Sequence, residues 1–311
     1  MIFGKYRYYL VLILIVLILS SSKISFSSIL IESYEEKKSF FASAIEQLKK
    51  EGVDTNFINK TIEHPNTTFN EKFVQINVNN FASKPDYSHN WSKKSIDKTV
   101  DFIAKYQDIL ELAEISYGVP KEIIASILFI ETRHGEYLGN NNILSVYYST
   151  ALCNLDAFKA QNKEALKAKY DGSNEELKKL LDKIDERSEK KAKWAIEQLK
   201  ALSIMEKEHG IPIYNLNGSW AGAFGMSQFL PSSYISWAVD GDKDGAINLF
   251  ETTDAIFSVA NYLKSNGWNS EPESNRKSVF HYNNSTAYVD AVFKLANLSA
   301  TLFDSLSVTG E

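Results

Sequence analysis

The 311-residue sequence contains two acidic features that could do chemistry. The first is Glu131, a single glutamate in the otherwise apolar stretch ASILFIETRHG at residues 125–135. The second is a group of alternating aspartates in AVDGDKDGAINLFETTD at residues 238–254. An isolated acid in apolar surroundings suits proton transfer, whereas alternating acids in a short loop suit a hard cation.

Helical spacing predicts that Glu131 lies on an apolar face. Three, four and seven residues before it stand Leu128, Ile127 and Ile124, which share a face with it in a helix. Burial in such surroundings disfavours the charged carboxylate, so we expect the pKa of Glu131 to lie well above its ordinary value. A carboxyl group that keeps its proton near neutral pH is suited to general acid catalysis.

An ion pair is the alternative explanation for this glutamate. Arg133 and His134 are close in sequence, although helical spacing directs both of them elsewhere on the helix. The stretch alone therefore leaves catalysis and a paired structural carboxylate open. Thiol catalysis by Cys153, the only cysteine, with a histidine partner has little support against an inert buried cysteine.

The second group of acids matches the calcium-loop pattern D-x-[DN]-x-[DN]-G-x5-E without a mismatch. The predicted ligands are Asp240, Asp242, Asp244, the main-chain carbonyl of Ala246, and Glu251. Gly245 permits the sharp bend of such a loop, and Asn248 is placed to bind the ion through water. A surface acidic turn is the alternative. Calcium sensors pair such loops, but only one is present, and the segment before it contains Pro231, so we expect one structural Ca²⁺.

Three glycines, Gly218, Gly222 and Gly225, fall in the stretch GSWAGAFGMSQFLPSSY at residues 218–234. Their spacing does not match a phosphate-binding loop, and no lysine follows them. Close approach of the backbone to a bulky ligand explains these glycines better.

Helices must position these residues, because most of the chain after the first thirty residues has helical periodicity. The pattern predicts helices at residues 40–51 and 95–117, each followed by a glycine, and an irregular connection over residues 64–92. Residues 159–208 are highly charged and predict a solvated helical hairpin that breaks near residues 171–172. A partner-binding arm is the alternative for this segment.

The first residues have the order of a secretory signal. Lys5 and Arg7 precede an apolar run at residues 8–19, and a serine-rich stretch follows at residues 20–28. The run is short for a membrane span, and an uncleaved anchor that tethers the protein to the inner membrane is the alternative. No cysteine follows the run, which excludes a lipoprotein anchor. The net charge of −5 does not suggest a nucleic-acid partner.

The order of these motifs resembles that of the lytic murein transglycosylase B family, enzymes that cut bacterial peptidoglycan. Residues 117–135, YGVPKEIIASILFIETRHG, are similar to the family segment with the catalytic glutamate, and residues 218–234 are similar to its substrate-groove loop. INLFETTDAIFSVANYLKSNGW at residues 247–268 follows the calcium loop as it does in the family. HYNNSTAYVDAVFKLA at residues 281–296 resembles the family's closing Tyr-Asn motif. The similarity covers residues 40–298.

The resemblance implies a mostly α, lysozyme-like helical core with a glycan-binding groove and one EF-hand-like loop. Carried over residue by residue, it makes Glu131 the single catalytic acid and base. It assigns substrate-binding roles to Ser219, Gln228, Tyr262, Tyr282, Asn283, Tyr288 and Tyr87. Family members can also close the calcium shell three residues beyond the usual position, so Glu251 and Asp254 are both candidate ligands.

The sequence departs from the family pattern at several places. Trp220, Met226 and Ser227 stand where a smaller aromatic residue, an aromatic residue and a glycine are expected, which would reshape the sugar contacts. The charged segment at residues 159–208 is long for the family. The interval between Trp268 and His281 is short, which suggests that an accessory subdomain is trimmed.

The resemblance and the composition together predict four parts of the chain. They are a signal peptide or N-terminal anchor at 1–28, a helical segment with an irregular connection at 29–94, a transglycosylase domain at 95–300, and a C-terminal tail at 301–311. The predicted domain includes the charged insertion at 159–208 and the calcium loop at 240–251.

The implied reaction is cleavage of the β-1,4 bond between N-acetylmuramic acid and N-acetylglucosamine, with formation of 1,6-anhydro ends. A hydrolytic muramidase of similar fold is one alternative, and a noncatalytic, calcium-stabilised wall-binding module is the other. We expect a monomer that is secreted across the inner membrane, lies in the periplasm or cell envelope, and binds peptidoglycan glycan strands.

Overall fold

The computed structural model describes residues 33–78 and 86–309, and these residues are mostly helical. The helices are α1 Tyr34–Phe40, α2 Ala42–Lys50, α3 Thr55–Glu63, α4 Lys93–Lys105, α5 Gln107–Tyr117, α6 Lys121–Thr132, α7 Ile143–Thr150, α8 Asp156–Lys167, α9 Asn174–His209, α10 Pro231–Trp237, α11 Thr252–Ser265, α12 Pro272–Tyr282 and α13 Thr286–Thr309. The regular structure of the described residues also includes strands β1 Asn141–Asn142 and β2 Asn217–Gly218 and 3₁₀ turns at Glu71–Phe73, Ser88–Trp91 and Ile213–Asn215. The prediction of a mostly α fold is confirmed.

The predicted leader at residues 1–28 lies outside the described residues. Within the ranges that the structure describes, no helix has both the length and the apolar character needed to cross a membrane. The cleaved signal and the retained anchor therefore both stay predictions.

The chain divides into two compact units, each made of two separate stretches. The first unit is Met1–Asn80 with Asn141–Leu216, and the second is Phe81–Asn140 with Asn217–Glu311. This grouping differs from the division expected from the sequence, which kept residues 95–300 together. The charged helices group with the N-terminal helices because α9 packs on α2 as well as on α7 and α8.

In the first unit, α8 and α9 form the two arms of the charged segment, separated by residues 168–173, where the sequence indicated the break. Ser173 caps α9 by accepting a hydrogen bond from the amide of Glu176. The 36-residue helix buries an apolar stripe that includes Ile184, Leu199 and Met205, while its opposite face carries charged residues. The segment is therefore a helical hairpin with one buried face.

Two helices that the sequence predicted as continuous, one in each unit, are interrupted. The helix expected at residues 40–51 is divided at Phe41, which is fully buried and packs on Tyr148 with ring centroids 5.4 Å apart. The helix expected at residues 95–117 is divided at Tyr106, which packs on Phe102. Neither interruption coincides with a glycine or proline, so no local sequence signal marked them.

Helix α6 is the central helix of the second unit. It follows Gly118, which ends α5 in the left-handed conformation at φ 71°, and it packs against α4, α5, α11 and α13. Its buried residues are Ile123, Ile124, Ala125, Ser126, Ile127, Leu128, Phe129 and Thr132. The expectation of a single apolar face was too narrow, because a helix that is surrounded by four others is buried on nearly every side.

The second unit ends in α13, which continues to Thr309. Residues 301–309, expected as a tail, are therefore the last turns of a 24-residue helix that packs on α6 and α4. Tyr288, near the start of this helix, is buried and faces the end of α6. The packing of α13 on α6 therefore brings together two segments that are far apart in the sequence.

Candidate active site

Glu131 lies in the last turn of α6, one residue before the helix ends at Thr132. The chain then turns through Arg133 and His134, both in the left-handed region with φ of 55° and 59°, and through Gly135 with φ 93°. The amides of Arg133 and His134 donate to carbonyl groups of the last helical turn. Glu131 is therefore held at the C-terminal end of α6, directly before a tight turn.

Within the described residues, the carboxyl group of Glu131 accepts one hydrogen bond, from the hydroxyl of Tyr288 at 2.6 Å from Oε1. Burial raises the pKa of Glu131 to about 7, and the Tyr288 hydrogen bond opposes that rise because it favours the charged form. The residue keeps partial solvent exposure, so a ligand can still reach it. The predicted upward shift of the pKa therefore has the physical cause that the sequence suggested.

Among the ion pairs of the described residues, none involves Glu131. The guanidinium of Arg133 lies over the ring of Phe129, 4.3 Å from its centroid. His134 stacks on Phe102 with ring centroids 3.9 Å apart, and its Nε2 lies 3.0 Å from the carbonyl oxygen of Ala125. Burial lowers the pKa of His134 to about 4, so this ring is neutral at physiological pH.

Three tyrosine side chains, those of Tyr87, Tyr282 and Tyr288, lie near Glu131. The ring of Tyr87 meets that of Tyr288 edge to face, with centroids 5.9 Å apart, and the charge of Glu131 contributes to raising the pKa of the half-buried Tyr87 after burial itself. Burial and then the charge of Glu131 raise the pKa values of Tyr282 and Tyr288 well above the ordinary tyrosine value. All three hydroxyl groups are therefore neutral donors near neutral pH.

Tyr262 and Tyr282 form an adjoining aromatic pair, with ring centroids 4.7 Å apart. Tyr262 donates its hydroxyl to the carbonyl of His281 at 2.8 Å, and Tyr282 donates to the carbonyl of Ser227 at 2.5 Å. Asn283 directly follows α12 with extended backbone at φ −142°. Thus α11 and α12 carry Tyr262 and Tyr282, two of the seven residues that the sequence assigned to the substrate, and a third, Asn283, directly follows α12.

The glycine-bearing loop holds Ser219 and Gln228 by contacts within the protein. Ser219 Oγ accepts from the amide of Ala223 at 3.1 Å, which closes a tight turn. Gln228 has φ 50°, and its Nε2 donates to the carbonyl of Gly225 at 3.0 Å. Trp220, next to Ser219, is 71% exposed. Ser219 and Gln228 therefore shape the loop backbone, while partial exposure leaves both of them accessible.

Thr132 and Ser227 are contact residues that the sequence analysis did not assign. The buried hydroxyl of Thr132 donates to the carbonyl of Met226 at 2.9 Å and accepts from the amide of Gly135 at 3.0 Å. Ser227 is fully buried, and its hydroxyl has no hydrogen-bond partner within the described part of the chain. The position of Thr132 directly after Glu131 was the one signal in the sequence that could have predicted the contact between Thr132 and Met226.

The acidic loop, residues 240–251, brings three predicted ligands together. One carboxylate oxygen from each of Asp240, Asp242 and Asp244 lies within 4.8 Å of the others. The two oxygens of Asp240 accept from the amides of Asp244 and Gly245, and Asp244 accepts from the amide of Ala246 at 2.8 Å. These bonds curl the loop so that its aspartates converge.

Glu251 and Asp254 have different environments. Asp254 is buried, and its two oxygens accept from the amides of Gly241 and Asn248 at 2.8 and 2.6 Å. Burial raises its pKa, and the two backbone hydrogen bonds oppose that rise. Glu251 accepts from the side-chain amide of Asn248 at 3.1 Å. The three aspartates that converge offer carboxylate oxygens, the ligand type that Ca²⁺ prefers, and Glu251 is not part of that converging group.

Cys153 lies in the first unit and is fully buried. Its Sγ donates to the carbonyl of Ser188 at 3.2 Å, and burial raises the pKa of the thiol to about 11. A thiol that stays protonated is a poor nucleophile. The interpretation of Cys153 as an inert core residue is supported.

The mostly helical architecture of the described residues matches the lysozyme-like lytic transglycosylase fold. A profile of the transglycosylase SLT domain matches residues 36–277, and the chain belongs to that family. Membrane-bound lytic murein transglycosylase B of Escherichia coli (strain K12) is 33% identical over 174 residues, which are 56% of this chain and 39% of that protein. The matched part therefore spans about two fifths of the length of that relative.

Solved structures extend the likeness in fold. The Escherichia coli lytic transglycosylase SLT35 in complex with calcium has a TM-score of 0.64 and 23% identity, covering 85% of this chain and 93% of that chain. Pseudomonas aeruginosa SltB3 in complex with NAG-NAM-pentapeptide has a TM-score of 0.61 and 19% identity, covering 85% of this chain and 79% of that chain. At these identities the structures establish the fold.

Proposed function

We propose that this protein is a peptidoglycan lytic transglycosylase that uses Glu131 as its single acid and base. The observation that carries the proposal is the position of the Glu131 carboxyl group, at the end of a buried helix, 2.6 Å from the Tyr288 hydroxyl and still partly exposed to solvent. Burial at this position raises the pKa of Glu131 to about 7. Family membership and the lytic transglycosylase relative support the reaction type. The binding of NAG-NAM-pentapeptide by SltB3 supports glycan strands of the cell wall as the substrate.

In the first step, protonated Glu131 donates its proton to the oxygen that links N-acetylmuramic acid to N-acetylglucosamine. The bond between that oxygen and C1 breaks, and the N-acetyl oxygen of the muramyl residue bonds to C1 in its place. This substrate-assisted route replaces the second carboxylate that most glycosidases use. Asn283 and Tyr288 are the residues we assign to steadying the acetamido group.

In the second step, ionised Glu131 takes a proton from the C6 hydroxyl of the same sugar. The C6 oxygen then bonds to C1 and the acetamido oxygen leaves, so a 1,6-anhydro end forms without water, and Glu131 is protonated again. The attack is intramolecular, which removes much of the entropic cost of a bimolecular reaction, about 7–11 kcal/mol in favourable cases. Tyr288 stabilises the ionised carboxylate between the two steps through its 2.6 Å hydrogen bond.

The remaining assigned residues would hold the glycan beside the acid. The hydroxyls of Tyr262 and Tyr282 are bonded to protein carbonyls, so these side chains offer their rings to sugar faces. Ser219 and Gln228 keep the glycine-bearing loop in place and present their remaining polar atoms. Tyr87, which packs on Tyr288, would complete the wall of the groove.

We assign one structural Ca²⁺ to the acidic loop. Asp240, Asp242, Asp244, the carbonyl of Ala246 and Glu251 would hold it, and Asp254 would support the loop from behind by fixing two of its amides. The ion would supply charge neutralisation and cross-linking of the loop, with no part in bond cleavage. The calcium complex of SLT35 supports this assignment.

The N-terminal pattern supports secretion across the inner membrane, either with cleavage at residues 1–28 or with retention of that segment as an anchor. We therefore place the protein in the periplasm or cell envelope, where its proposed substrate lies, and expect it to act as a monomer. The membrane-bound character of the Escherichia coli relative fits a location at the envelope.

Mass analysis of the fragments released from purified cell wall tests the proposed reaction. We expect 1,6-anhydro-muramyl ends, which are one water lighter than the reducing ends of a muramidase. Products with reducing ends would replace the transglycosylase by the hydrolytic alternative. Binding to cell wall without any fragment release would replace it by a noncatalytic wall-binding module.

A further inference from the structure

One short stretch of chain, residues 225–227, bonds to both the acidic loop and the acid helix. The amide of Met226 donates to the carbonyl of Leu249, inside the acidic loop, at 2.7 Å. The carbonyl of Met226 accepts from the hydroxyl of Thr132, the residue directly after Glu131, at 2.9 Å. The two backbone polar groups of one residue thus connect the proposed catalytic acid to the proposed cation site.

The contact with the acidic loop is close because Gly225 has no side chain. A Cβ atom at this position would lie 2.5 Å from Cβ and 2.7 Å from the carbonyl oxygen of Leu249, and the φ of Gly225 is +74°. The two backbones are therefore packed directly against each other. A displacement of Leu249 cannot be absorbed by a flexible side chain at this contact.

The contact with the acid helix depends on one buried hydroxyl. Thr132 is 1% exposed, and its Oγ1 is within hydrogen-bond distance of three backbone groups: the carbonyls of Met226 and Leu128 and the amide of Gly135. These bonds close the turn in which Arg133 and His134 have positive φ. Such backbone angles cost free energy in residues other than glycine and persist only where several contacts enforce them.

The same stretch also holds a tyrosine beside the acid. The carbonyl of Ser227 accepts from Tyr282, whose raised pKa reflects in part the charge of Glu131. Met226 and Ser227 therefore fix Thr132 on one side and Tyr282 on the other. Both contacts move together if the stretch moves.

We propose that Thr132 is a positioning residue for Glu131 and that residues 225–227 transmit the ordering of the acidic loop to the acid. When a divalent cation orders the loop, Leu249 fixes Met226, and Met226 fixes the end of α6 through Thr132. The position of the Glu131 carboxyl relative to its tyrosine partner then follows from the state of a loop that takes no part in the chemistry. The inference rests on the proposed function of Glu131 and of the acidic loop.

A matched pair of variants tests the positioning role. Thr132→Val has nearly the same shape but lacks the hydroxyl, and Thr132→Ser keeps it. We expect Thr132→Val to lower kcat about 10- to 100-fold with little change in KM, because a misplaced acid loses rate steeply. Thr132→Ser should stay within about threefold of the wild type, and the alkaline limb of the pH–rate profile should move only in the valine variant. An unchanged kcat and pH profile in folded Thr132→Val would overturn the proposal.

Hydrogen exchange tests the connection without relying on turnover. The amide of Gly135 donates to Thr132 Oγ1, so adding Ca²⁺ to metal-free wild-type protein should slow exchange at Gly135. In Thr132→Val the cation should still raise the melting temperature but should leave Gly135 exchange unchanged. Equal slowing in wild type and Thr132→Val, or no slowing in wild type, would contradict transmission through this contact.

The Glu131→Gln variant separates this inference from the proposed function. If Glu131→Gln still cleaves cell wall, the function assigned to the acid fails regardless of Thr132. If Glu131→Gln is inactive while Thr132→Val behaves as the wild type in rate, pH profile and exchange, only the positioning role fails.

Discussion

Two carboxylate sites in the second unit differ in nearly every physical respect. Glu131 is a single acid at the end of a buried helix, and the neutral hydroxyl of Tyr288 donates a hydrogen bond to it. Asp240, Asp242 and Asp244 are three acids that crowd within 4.8 Å in a largely exposed loop and accept backbone amides. The surroundings of Glu131 favour the protonated form, whereas the loop collects several oxygens in one place.

The difference shows how the same side-chain chemistry serves opposite purposes. Burial makes the proton of Glu131 available near neutral pH, because the pKa is raised to about 7. Convergence makes the loop aspartates suited to a cation, which relieves their mutual repulsion. Changes at Glu131 should therefore affect chemistry more than folding, and changes around the loop should affect folding and cation response more than chemistry.

The largest effect is expected from Glu131→Gln. Loss of the proposed acid and base should reduce the release of soluble fragments from cell wall by about 10³- to 10⁴-fold. Glu136→Gln is the matched control, because Glu136 lies five residues further along, exposed, and pairs with Lys98. Comparable losses in both variants would show that the turn, and not the carboxyl group of Glu131, is responsible.

The Glu131→Gln variant should also differ from the wild type in its free energy of unfolding. The folded protein raises the pKa of Glu131 from 4.5 to about 7, so the wild type loses stability as pH rises through that window, when the buried group must ionise. Glu131→Gln has no such group and should be more stable than the wild type by about 1–3 kcal/mol above pH 7, with a smaller difference near pH 4. Denaturant unfolding at the two pH values measures the difference.

An intermediate effect is expected at the end of the acidic loop. Asp254→Ala removes the acceptor of two backbone amides and should lower the free energy of unfolding by about 2–4 kcal/mol even in the presence of a chelator. Glu251→Ala should change stability in chelator by less than about 0.5 kcal/mol and should instead remove the stabilisation by Ca²⁺. Thermal melting with and without Ca²⁺ checks both variants. The reverse pattern would make Asp254 the closing ligand.

The smallest effect is expected from Tyr288→Phe. The hydrogen bond from Tyr288 favours the ionised form of Glu131, so its loss should raise the pKa of Glu131 further. The alkaline limb of the pH–rate profile should move upward by less than about one unit, with a rate loss of roughly tenfold. Tyr137→Phe is the control, since Tyr137 is 70% exposed. A downward move of the limb would show that Tyr288 does not stabilise the carboxylate.

Much of the candidate site was predictable because its signals are local. The apolar residues three to seven positions before Glu131 predicted both the helix and the raised pKa of Glu131. The calcium pattern needed only the spacing of five residues within the acidic loop. Helix ends at Gly118 and near residues 168–173 also followed from short stretches.

Other features were not predictable because they depend on residues far apart in the chain. The donor to Glu131 comes from Tyr288, 157 residues away, and the acceptor of Tyr282 lies 55 residues away. The interruptions at Phe41 and Tyr106 follow from packing and not from a breaking residue. The discontinuous division into two units likewise arises from contacts that α9 makes with distant helices.

The sequence by itself therefore determined which residues carry charge, that most of the chain is helical, and where an acid meets an apolar surface, since these follow from spacing within a few turns. Only the tertiary structure decided which hydroxyl reaches Glu131, which carbonyl accepts from Tyr282, and how Met226 joins the two sites. The reason is that hydrogen bonds and desolvation depend on distances of a few ångströms, which folding sets between segments that the sequence keeps far apart.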